Sequence, residues 1–208
     1  MITAKSIFHS NVAFLFEEAN FLAPENEKFM ALYSGEEGKG ARFFEDPILK
    51  AKVLILPQIK LKITIENRRL RIDDESQKEP KDSRLAKDAF EIFRKLFPWS
   101  ALESFGFNFD IHFRFNNVLN SQHMFENVFG KEILKNFDLK DFGFQFTLDK
   151  SEKNFADLWF LKIVAPLELA THINRHFSLK TLPPLERLIE MFENCYDETD
   201  EVIEKIEI

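Results

Sequence analysis

SFGFNFDIHFRFN, residues 104–116, alternates without a break. Phe105, Phe107, Phe109, Ile111, Phe113 and Phe115 take the odd positions. Ser104, Gly106, Asn108, Asp110, His112 and Arg114 take the even ones. Side chains of a strand point to opposite faces with period two, whereas a helix repeats every 3.6 residues. The stretch is therefore a long strand with one apolar and one polar face. Each Phe fully buried contributes roughly 1.5–3 kcal/mol, so the apolar face alone can seed a core.

Moving outward toward the N-terminus, residues 83–97 space Leu85, Ala89, Phe90, Phe93, Leu96 and Phe97 as one helical stripe, capped near Asp82 or Ser83 and stopped by Pro98. Before it, residues 58–66 and 69–73 alternate as two strands of opposite parity. A two-residue turn at Asn67-Arg68 explains the change, because Asn tolerates left-handed backbone. Residues 50–56 read as a further strand ended by Pro57, and residues 5–17 as the first strand. Residues 25–33 suit a short helix. The loop SGEEGKG, residues 34–40, lacks the lysine-hydroxyl ending of a phosphate cradle.

On the other side, residues 119–136 read as a helix broken near Gly130. Residues 142–149 and 167–179 alternate as strands, with a turn at Asn174-Arg175 as an alternative for the last, and residues 156–165 read as an apolar strand ended by Pro166. From Leu185 an apolar stripe runs to Ile206 at helical spacing, with an acidic opposite face.

Strands followed by a helix, rather than strict alternation, give an α+β fold. We expect a curved antiparallel sheet of about seven or eight strands with helices packed on one face. The two halves, 1–98 and 99–208, share the order strand, crossover, three strands, helix. Ser6–Phe16 matches Ser104–Arg114, Val53–Pro57 matches Leu161–Pro166, and Glu66-Asn67-Arg68 matches Ile173-Asn174-Arg175. This suggests an internal pseudo-twofold duplication within a single domain.

Composition narrows function. Of the 208 residues 25 are Phe, and the single cysteine, Cys195, rules out an internal disulfide and fits a reducing compartment. No apolar run approaches the ~20 residues that span a bilayer, and the chain does not open on a secretory signal, so a cytoplasmic location without membrane contact is expected. The net charge is −7. Nine of the 35 acids and two of the 28 bases fall in residues 186–208, so the remaining 26 of each cancel. No general positive field draws nucleic acid, and only Arg84, Lys87, Arg94 and Lys95 form a local basic face.

Asp110, His112 and Arg114 share the polar side of the central strand, about 6.6 Å apart, and could bind an anion or move a proton. His172 and His176 would adjoin on a helix, but on the strand read here they stand about 13 Å apart, without the glutamate of a zinc motif. No metal or cofactor is called for. Cys195 lies on an apolar stripe among acids, a poor setting for a thiolate. No catalytic residue is assigned. His9 and His123 show no partner pattern. Val202, Ile203 and Ile206 extend the last helix and are candidate interface residues.

The resulting expectation is a non-enzymatic binding or assembly protein that partners itself, or another protein, through the sheet face or the C-terminal helix. A holdase-like chaperone or carrier with a Phe-lined groove is the alternative. A small-anion-binding protein or enzyme working on the polar sheet face is a further one.

Overall fold

The alternating stretch lies at the middle of a nine-stranded antiparallel sheet. The computed structural model describes residues 1–17, 23–48, 50–98, 101–129, 142–150, 152 and 154–206. Its strands are β1 (Ile2–Phe16), β2 (Arg42–Asp46), β3 (Ala51–Leu56), β4 (Leu61–Glu66), β5 (Arg69–Asp74), β6 (Leu102–Phe115), β7 (Gly143–Lys150), β8 (Phe155–Ala165) and β9 (Glu168–Phe177). Its helices are α1 (Asn26–Met30), α2 (Leu85–Leu96), α3 (Ser121–Phe129) and α4 (Leu185–Lys205), with a 3-10 turn at Pro80–Asp82. The strand order is β2-β3-β4-β5-β1-β6-β9-β8-β7.

The α+β architecture follows the alternation. Phe107, Phe109 and Phe113 are completely buried, as are Val12, Phe14 and Phe16 on the paired strand β1. Helix α2 covers them through Phe93, whose ring lies 5.1 Å from Phe14 and 5.9 Å from Phe16. Helix α4 covers the other half through Phe192, 5.3 Å from Phe107 and 5.0 Å from Phe109. Helix α1 joins the same side by setting Phe29 against Phe43. Such ring pairs add about 0.5–1.5 kcal/mol each beyond burial.

The helix side also holds buried charge. Arg175 donates to both carboxylate oxygens of Asp157 at 2.6 and 2.7 Å, and to Glu198 on α4 at 2.7 Å. Desolvation opposes the charged guanidinium, but these bonds outweigh it and its pKa stays raised. Lys5 ties β1 to α4 through Asp200 at 2.9 Å and the Tyr196 carbonyl at 2.7 Å.

Several expectations need correction. Among the described residues the sheet has nine strands, because RFFED, residues 42–46, forms the edge strand β2. The helix expected over 119–136 is seen as Ser121–Phe129; residues 130–141, including Gly130, lie outside the described residues. The turn at Asn67-Arg68 is present, with Asn67 at φ 51°. No turn occurs at Asn174-Arg175: β9 runs through both, and its hairpin with β8 closes at Pro166-Leu167. The proposed match of Asn67-Arg68 with Asn174-Arg175 therefore pairs a turn with a mid-strand site. The sheet order is symmetric in outline, with β5 flanking β1 and β9 flanking β6. Five strands nevertheless lie on one side of the centre and four on the other.

Candidate functional site

The face of the sheet opposite α1, α2 and α4 is built from the polar positions of each strand. Antiparallel register carries the parity across. Asp73, Asn11, Asn108, Asn174 and Leu158 form one row, and Arg71, Ala13, Gly106, His176 and Ala156 the next. A bulge between Ile7 and His9 adds a residue to β1. Ile7 stays in the core while Phe8 and His9 both reach the polar face, Phe8 lying 4.1 Å from the His112 ring.

A chain of hydrogen bonds crosses four strands on this face. Arg71 Nε donates to Asp73 Oδ2 at 3.0 Å. His9 joins Asp73 through Nε2 at 3.0 Å and Asp110 through Nδ1 at 3.1 Å. His172 Nδ1 meets the second Asp110 oxygen at 2.7 Å. Hydrogen bonds from His9 to Asp110 and Asp73 outweigh partial burial and raise its pKa to about 9, so it is cationic at neutral pH. The hydrogen bonds from His172 and His9 hold the Asp110 carboxyl well below the usual range. A carboxylate so held is a poor general base. The chain fixes charge rather than offering a proton.

Beside this chain lies an open basin of about 380 Å³. Arg69 and Arg71 border it on the β5 side, and His172, Asn174 and His176 on the β9 side. Asn11, Ala13, Ser104, Gly106 and Asn108 form its floor. A Cβ on Gly106 would stand 2.8 Å from the Arg175 carbonyl oxygen, so glycine permits the close approach of β6 to β9 and leaves the floor bare. Asn108 Nδ2 donates to Asn11 Oδ1 at 2.8 Å and fixes both amides.

Of the residues singled out from sequence, Asp110 and His172 come together directly. His112 shares their face but packs under Phe8. Arg114 sits toward the strand's end, 3.8 Å from Glu168. His176 belongs to the basin, four residues along β9 from His172. Ile203 is 1% exposed and buried in the core, while Val202 and Ile206 are partly buried and pack against it. Burial pushes the Cys195 thiol up to about 12 despite the opposing pull of Arg175.

Sequence reasoning missed His9, Arg69, Arg71, Asp73 and Asn11. Arg69, Arg71 and Asp73 alternate with Leu70 and Ile72, a signal of the same kind as that in β6. His9 left no such signal, because its position depends on the bulge. Among the described residues no three His, Cys, Asp or Glu side chains converge as a metal cage, and no helix is long and apolar enough to cross a membrane.

The chain matches no known protein family, no curated protein and no solved structure.

Proposed function

We propose that this is a non-enzymatic binding and assembly protein whose working surface is the face of the sheet opposite α1, α2 and α4, and that a second copy of the chain is its partner there. The observation supporting this most is the division of the two faces. The apolar side chains of α4 are largely taken up by its own core, with Phe192, Cys195 and Ile203 all 1% exposed. The opposite face instead presents fixed charges, amides, and the exposed rings of Phe8, Phe44 and Phe160.

Charge favours a like partner. On β2 to β5 the face carries Arg42, Lys62, Arg69 and Arg71 against Asp46, Glu66 and Asp73. On β6 to β9 it carries Asp110, Asp149 and Glu168 against Arg114 and Lys162. A twofold axis running along the central strands lays the more basic half of one copy on the more acidic half of the other. A holdase would have to rely on the few exposed rings, since most phenylalanines of the central strands lie beneath helices.

Sedimentation velocity over about 1–100 µM, the range of ordinary reversible dimers, tests this. The expected result is a dimer that dissociates in the variant carrying Phe8→Asp and Phe160→Asp but persists in Val202→Asp. A monomer at every concentration, or a dimer broken only by Val202→Asp, overturns it.

A further inference from the structure

We propose that the basin between Arg71 and His176 is a binding site for a small organic oxyanion, a molecule carrying carboxylate or phosphate groups. This rests on the reading that the face opposite α1, α2 and α4 is the working surface, but not on self-association.

Three observations converge. First, the basin is lined by two arginines, two histidines, three asparagines and a serine, yet by no carboxylate. Acids are common elsewhere on the face, so their exclusion from this hollow sets it apart from the surrounding mixed charge. Second, the lining retains unused donors. Arg71 uses only Nε toward Asp73, which leaves its Nη groups without a partner among the described residues. The neighbouring Arg69 is held at the same wall by Glu66. A guanidinium fork matches carboxylate and phosphate oxygens in a bidentate fashion. Third, the shape follows from the row Arg71, Ala13, Gly106, His176. Two small residues separate two long ones across three strand spacings, about 14 Å. A ligand lying on Ala13 and Gly106 has guanidinium at one end, imidazole at the other, and the Asn11, Asn108 and Asn174 amides along its side.

The volume agrees with that assignment. A hollow of about 380 Å³ falls within the range of small-molecule sites and is larger than a single inorganic ion needs. Arg71 is oriented in advance by Asp73, which His9 holds from the other side, so little ordering is required on binding.

The test is a side-chain NMR titration of the full chain with pyrophosphate and, separately, citrate, at constant ionic strength held with chloride. The expected result is saturable movement of the His172, His176 and Asn174 signals by at least one of the two anions. A response to pyrophosphate alone identifies a phosphate ligand, and a response to citrate alone a carboxylate. Ala13→Leu fills the floor without changing charge, and Arg71→Gln removes the fork; each should weaken binding by about tenfold or more. Arg42→Gln, on the same face but outside the basin, should leave affinity within about twofold, as expected for a screened distant charge. Absence of saturation by either anion up to about 10 mM, or an unchanged affinity in folded Ala13→Leu, overturns the site. Self-association through this face without an anion response overturns the oxyanion site alone and leaves the working surface standing.

Discussion

The two faces of one sheet solve opposite problems with the same strands. On the helix side of β6, Phe107 and Phe109 meet Phe192 of α4, and Phe105 meets Phe14 of β1 and Phe177 of β9. On the other side the same strand presents Gly106 and Asn108 to a hollow and Asp110 to a hydrogen-bonded row. Stability resides on the first face, where removing a side chain leaves a void. The second face contributes little to the core and is free to carry charge in fixed positions. Substitutions should therefore separate cleanly by parity along a single strand.

The largest effect is expected on the covered face. Phe107→Ala should cost about 3–5 kcal/mol in chemical denaturation, the range for a buried aromatic truncated to alanine. Asp157→Ala leaves Arg175 buried with only Glu198, and should cost about 3 kcal/mol, near the low end for breaking a buried pair because one acid remains. A loss below about 0.5 kcal/mol at either position, the scale of ordinary surface changes, would break the comparison.

Smaller effects belong to the open face. His9→Gln should lose about 1–2 kcal/mol, the value for bonds to charged partners reduced by solvent screening. It should also alter the pH profile. The His9 pKa is raised from 6.5 to about 9, so its contribution is complete below about pH 6.5 and disappears as pH rises through about 9. Asp110 is shifted downward, so its contribution is present above the unfolded carboxylate range and is lost as pH falls below about 4. Thermal melts across that range should show the wild type weakening toward pH 9 and His9→Gln remaining flatter there. The same slope in both proteins would remove His9 from the row. The smallest effect is expected for Arg114→Gln, exposed and 3.8 Å from Glu168. It should change stability by less than about 0.5 kcal/mol.

Much of this division is legible in the amino-acid sequence. Alternation at 104–116 and 142–149 assigns strands and their inner faces, the apolar run before Pro166 assigns a further strand, and the stripes at Leu85 and Leu185 assign the covering helices. Edge strand β2 is not legible because RFFED is short and places a single apolar residue, Phe43, toward the helix side, next to the charged Glu45. The site is half legible. Asp110 and His172 stand out because each alternates with apolar neighbours, but their juxtaposition depends on the register between β6 and β9. His9 is invisible because a one-residue bulge decides which face it reaches. The basin is invisible for a further reason: it is formed by what is small, Ala13 and Gly106, rather than by a motif.

Covalent histidine labelling tests most directly whether the open face is the working surface. His112, His172 and His176 lie on that face, and His123 lies on α3. Labelled at rising protein concentration, the first three should lose reactivity together while His123 keeps its own. Equal reactivity of all four at every concentration would contradict the account.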